Sequence, residues 1–180
     1  WGKFLWTWSG ISLDYIRLYD PNVYTDFAIN ANVGGTFRNF MSMGTWFSYW
    51  PTESYDYFEP RVDGRFFANP GGAAMGGFAS SDYSKRLALD VNFFIGKFFG
   101  QERLNMDLRI SPRMRFSDKF MVALTVGRFD GIGDLGSAID NYYYSPTIIG
   151  EDIIFGKRDI VTYENTLQAS YTFNNKMGIT

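Results

Sequence analysis

The chain has 180 residues, with 17 Lys and Arg against 19 Asp and Glu, no Cys, no His, and 19% aromatic residues. Near-balanced charge without a basic stripe excludes a phosphate-backbone surface, so no nucleic-acid partner is expected, and the missing thiol and imidazole exclude Cys/His zinc centres, Cys nucleophiles and a Ser-His-Asp triad. No stretch approaches the roughly 20 consecutive apolar residues of a membrane-spanning helix, whereas the strands of a β-barrel are apolar only at alternate positions and escape that test.

In chain order, strands are expected at Trp1–Trp8 and Ile11–Tyr19. Asp20-Pro21-Asn22 then leads into Val23–Phe37, where Phe27, Ile29, Ala31 and Val33 alternate with Asp26, Asn30, Asn32 and Thr36. A tight turn at Arg38-Asn39 precedes a strand over Met41–Trp50, and Pro51–Gly72 is a long connection. Gly71, Gly72, Gly76 and Gly77 lack the context of a phosphate loop and mark a close backbone approach or a kink in a strand. After a turn at Asp82–Lys85, Leu87, Leu89, Val91, Phe93, Ile95 and Phe99 alternate with Ala88, Asp90, Asn92 and Gly96, although Phe94 and Phe98 blur the second face.

The clearest segment runs from Arg103 to Phe116. Leu104, Met106, Leu108, Ile110, Met114 and Phe116 hold the even positions, and Arg103, Asn105, Asp107, Arg109, Ser111, Arg113 and Arg115 the odd ones. A helix would scatter both sets around its circumference, while a strand sends them to opposite faces. Pro112 has no amide to donate and should sit near an unpaired end or a bulge. The links Gly100–Glu102 and Ser117–Lys119 are short enough for hairpins. Alternation resumes over Phe120–Gly127; Asp130–Asp159 is the second long connection. Val161 to Phe173 alternates again before a turn at Asn174–Lys176.

About ten strands result, several of ten residues or more, against a usual globular length of roughly 5–6 and the about 9–11 that a tilted strand needs to cross hydrocarbon. The short turns at Arg38, Asp82, Ser117 and Asn174 fall at one end, and the two long connections at the other. Aromatic residues gather where strands end, as at a membrane interface. The expected fold is all-β, an antiparallel up-and-down transmembrane β-barrel present as a partial barrel over 1–180, with periplasmic short turns and extracellular long loops. The chain opens within strand-like sequence and stops after a turn signal, so both ends are read as cuts in a longer protein.

Two blocks carry a family resemblance. The first is Tyr57-Phe58-Glu59-Pro60-Arg61 with Gly64-Arg65-Phe66-Phe67 and Ser80 through Asp90. The second is Phe155-Gly156-Lys157-Arg158-Asp159-Ile160 with Tyr163 through Leu167 and Tyr171 through Gly178. The chain resembles the C-terminal barrel of a Bacteroidota outer-membrane family of unknown function, whose full-length members carry an N-terminal β-sandwich similar to family 9 carbohydrate-binding modules. The resemblance implies an architecture and a location, the outer membrane of a Gram-negative bacterium, and no reaction.

Arg103, Asp107, Arg109, Arg113 and Arg115 are the candidate lumen-facing charges, with Asp90 and Glu164 available as partners. They make either an anion-attracting pore wall or a cross-strand ion-pair ladder that fills the interior; the ladder is favoured. Asp130, Asp134 and Asp140 among glycines invite calcium, but turns use the same residues. Glu53, Asp56 and Glu59 invite a glycosidase pair and read better as a solvated acidic loop. Tyr142, Tyr143 and Tyr144 with Pro146 form an aromatic patch for a glycan, a partner or a plug. No ligand-binding residue, catalytic residue, metal or cofactor is assigned, and no enzymatic activity is expected in this portion. The expected role is a scaffold or channel component of an outer-membrane assembly, with the bilayer and other outer-membrane proteins or lipoproteins as partners. The alternative is a membrane anchor for a glycan-binding or hydrolytic N-terminal domain.

Overall fold

The computed structural model describes residues 2–139, 145–174 and 177–179. Nine strands form one antiparallel sheet, and their spatial order follows the chain except where small hairpins intervene. β1 (Phe4–Arg17), β2 (Tyr24–Phe37) and β3 (Ser42–Trp50) lead to a two-stranded hairpin of β4 (Ser54–Asp56) and β5 (Phe67–Asn69). The sheet continues with β6 (Gly72–Ser80), β7 (Leu87–Phe98), β8 (Leu104–Arg115) and β9 (Phe120–Ser137). A second hairpin, β10 (Ile148–Ile149) and β11 (Asp152–Ile153), precedes β12 (Phe155–Asn174) and the short β13 (Met177–Ile179). The all-β, up-and-down antiparallel architecture read from period-two alternation is therefore present. Among the described residues β1 and β13 stand at the two edges with no ladder between them, so no closed barrel is formed.

Four expectations need correction. Trp1–Trp8 and Ile11–Tyr19 are not two strands: β1 runs unbroken through Ser9 and Gly10, which pair with Val33 and Asn32. Here glycine spares room rather than turning the chain, since a Cβ on Gly10 would lie 3.2 Å from the Asn32 amide. Asp130–Asp159 is not a loop throughout, because β9 extends to Ser137 and β12 begins at Phe155. The two long strands stay paired but shift register by one residue at a bulge, where Gly133, at φ 64°, donates its amide to Asp159 Oδ1 at 2.7 Å. Pro51–Gly72 likewise contains the β4/β5 hairpin.

Pro112 lies neither at an end nor at a bulge. It pairs with Leu89 of β7, but the ladder to β9 lapses between Ile110 and Arg113 without losing register. Next to the gap the hydroxyls of Ser111 and Thr125 bridge the two strands at 3.0 Å.

The sheet has no ordinary core. Among the described residues the buried apolar side chains are Ala28, Ala74 and Ala88, together with the fully buried Pro60. The chain exposes 12677 Å², whereas a compact monomer of this mass would expose about 8,900 Å².

Candidate functional site

Cross-strand partners share a face, so register assigns every side chain of the sheet. One row of partners reads Ile11, Ala31, Phe47, Met75, Ile95 and Met106. Another reads Val91, Ile110 and Val126, and a third pairs Leu124 with Leu167. These residues form an apolar face with no protein layer over it, Ile11 being 81% exposed and Leu167 73%; it is interrupted on β9, where Met106 pairs with Asp130 and Leu108 with Arg128, and these two charges pair with each other at 2.6 Å. Aromatic pairs stand at both ends of the strands. Phe4 meets Phe37 at 4.5 Å between ring centroids, Phe116 meets Phe120 at 5.5 Å and Tyr171 meets Phe173 at 5.0 Å at one end. At the other end Tyr15 pairs with Phe27, and Tyr49 meets Phe99 at 6.2 Å.

The opposite face has two halves. Over β7 to β12 it is charged and hydroxylated, and the five candidate charges all belong to it. Arg109 and Glu164 form an ion pair at 2.7 Å across Gly127, the residue that pairs with both in register. Arg113 stacks its guanidinium on the Tyr83 ring at 3.7 Å, and the Tyr83 hydroxyl donates to Asp90. Arg115 donates to the Tyr83 carbonyl at 3.5 Å. Arg103, at the strand end, lies over the Phe98 ring at 4.0 Å and donates to Asn69 Oδ1 at 2.7 Å. Asp107 pairs in register with Phe94 and Phe129. The structure thus brings Arg109 and Glu164 together and sends the other arginines to rings, an amide and a carbonyl. Burial and the Asp90 carboxylate push the Tyr83 phenol up.

Over β1 to β7 the same face lays aromatic rings on glycines beside a hydrogen-bonded cluster of Asp14, Asn30 and Ser48, a feature that alternation of polar and apolar residues did not reveal. Trp8 lies over Gly34, where a Cβ would come within 2.1 Å of the indole, and reaches Gly44. Phe78 arrives over Gly44 from the other side, with ring centroids 6.2 Å apart and planes 10° apart. One row away Trp46 lies over Gly76 and stacks on Phe94 at 5.7 Å. The signal available in the sequence was the offset between aromatic and glycine positions in adjacent strands, which needs the register to be read. It also explains why Phe94 blurred its strand's polar face.

The acidic candidates are spent on structure. Asp134 pairs with Arg158 at 3.2 Å and Asp130 with Arg128 at 2.6 Å; Asp140 lies outside the described residues. Asp56 accepts the amides of Phe58 and Glu59, and Glu53 accepts the Tyr55 hydroxyl at 3.2 Å, which pushes that phenol up. Glu59 reaches across the strand ends to accept the amide of Ser137 at 2.8 Å. With Phe67 stacked on Phe155 at 4.5 Å and Arg65 donating to the Glu151 carbonyl, these contacts fasten the connection after β3 to the far side of the sheet. Tyr142, Tyr143 and Tyr144 also lie outside the described residues, as do Asn175 and Lys176 of the expected turn, while Pro146 bridges Ile139.

No helix among the described residues is long and apolar enough to cross a membrane. A family profile described as Domain of unknown function (DUF5916) matches residues 2–180. No curated protein and no solved structure matches the chain.

Proposed function

Since the chain belongs to that DUF5916 family, whose function is not defined, we propose that it forms the wall of a transmembrane β-barrel in a Gram-negative outer membrane and serves there as a scaffold or channel component of a larger assembly. The observation that carries this reading is the uncovered apolar face, bounded at both strand ends by aromatic pairs and backed by a polar face. On β2, Phe27 and Phe37 stand ten positions apart. That is roughly 33 Å along the strand, and a tilt of about 40° reduces it to about 25 Å, the height of a lipid-facing band. A face of this kind exposed to water would be a large aggregation liability, whereas hydrocarbon covers it at no cost.

The bound state of the arginines favours a filled scaffold over an anion pore. Arg109 is neutralised by Glu164, and Arg103 and Arg113 lie against rings. The resemblance of the two sequence blocks to a Bacteroidota barrel supports the location. The resistance of the full-length protein to carbonate extraction and its heat-modifiable mobility on gels test the barrel; recovery in the aqueous fraction without detergent overturns it. Conductance in planar bilayers separates scaffold from channel.

A further inference from the structure

The glycine and aromatic half of the polar face is a second candidate site. Trp8 with Phe78 and Trp46 with Phe94 lie nearly parallel in pairs, pressed onto bare backbone at Gly34, Gly44 and Gly76. The rings lie down because the strands beneath them lack Cβ atoms, a packing that also covers strand glycines. Ring faces are thereby turned outward: Trp46 keeps 41% of its surface exposed despite the stack.

The flanking chemistry narrows the ligand. Asn32 pairs in register with Trp46, Asn92 with Phe78 and Asp107 with Phe94. No side-chain hydrogen bond is made by these three among the described residues. A flat apolar platform edged by free amides and a carboxylate matches a molecule with an apolar face and a hydroxylated rim. It does not match an acyl chain, which would leave the polar edge unpaired.

We propose that this aromatic strip binds the sugar rings of an oligosaccharide, with the indole of Trp46 and the ring of Phe94 as the main platform and Asn92, Asn32 and Asp107 reading hydroxyls at its edge. The two ring pairs sit in adjacent rows, roughly 7 Å apart along the strands, so the strip is longer than one ring. The proposal rests on the reading that lipid covers the other face and leaves this one to water.

The test is titration of the full-length protein in detergent micelles with maltohexaose, cellohexaose and chitohexaose, followed by tryptophan fluorescence and calorimetry. At least one of the three should quench fluorescence saturably, and Trp46→Ala should weaken that binding roughly tenfold or more. Asn92→Leu, which leaves every ring in place, should weaken it as well and decides the matter if Trp46→Ala does not fold. Absence of saturable binding by all three sugars overturns the proposal, as does unchanged affinity in the folded variants. A protein that proves soluble without detergent sinks the barrel reading separately, because the same titration can then be run in buffer.

Discussion

Arg109 on β8 grips Glu164 on β12, two strands away, by passing over Gly127 of the strand between them. A side chain at 127 would stand where the guanidinium lies, since a Cβ there falls 3.4 Å from Arg109 Nε and 3.5 Å from Glu164. An alanine can be accommodated, but a leucine would separate the partners.

The pair is part exposed, with side chains 43% and 47% accessible, so its coupling should be modest. A double-mutant cycle on Arg109→Leu and Glu164→Gln, read by urea unfolding in vesicles, should return about 0.5–1 kcal/mol. In a Gly127→Leu background the coupling should vanish. Coupling that persists there would mean the pair does not need the bare strand.

Gly34→Ala should destabilise the sheet by about 1–3 kcal/mol, because the added methyl meets the Trp8 ring at 2.1 Å and the ring is held by Phe78. Trp8→Ala should remove most of that penalty. If the two losses simply add, the ring is not what the methyl strikes.

Leu124, the fifth residue of β9, lies on the apolar face beside Leu167, and its neighbour Thr125 points to the opposite face. In lipid, Leu124→Arg should cost about 2–4 kcal/mol, and Thr125→Arg much less. Equal effects of the two in reconstituted vesicles would contradict the assignment of faces.

Asp82 accepts the Ser84 amide at 2.8 Å in the turn between β6 and β7, and this bond holds its carboxyl below the usual range, with Lys85 helping from 3.9 Å. A depressed acid stabilises the fold at pH values above its unfolded pKa of roughly 4, and the contribution is lost as pH falls through the lower folded value. Asp82→Ala should therefore lower the melting temperature at pH 7 and converge with the parent in strong acid. A constant offset from pH 7 to pH 2 would show that charge is not the cause.

Glu59→Ala frees the Ser137 amide and should loosen the connection between β3 and β6. Trypsin should then cut at Arg61 or Arg65 faster than in the parent, with the sheet intact. Unchanged cleavage would place the anchoring in the Phe67 and Phe155 stack alone.

The strands were legible where one face is uniformly apolar, as from Leu104 to Phe116, because period two is then decisive. They were misread where a glycine sits inside a ladder: Gly10 looked like a break, and Gly131, Gly133 and Gly136 looked like a loop. Glycine has two uses, turning and making room, and only the partner across the ladder distinguishes them. The charged candidates were legible as a shared face, and Glu164 as an available partner. The destinations of Arg103 and Arg113 were not, because stacking on Phe98 and Tyr83 depends on how hairpin neighbours lean. The aromatic strip stayed hidden for the same reason.

The rings that lie down on Gly34, Gly44 and Gly76 also set a thickness. One half of the polar face is smooth and shallow, while the half around Arg109, Arg113 and Glu164 is tall and charged. Rolled into a cylinder, such a sheet would enclose an off-centre bore with a strip of ring faces on one wall and the Arg109, Arg113 and Glu164 charges on the other. A solute inside would meet a transverse gradient of polarity that fixes which of its sides faces which wall before any specific contact is made.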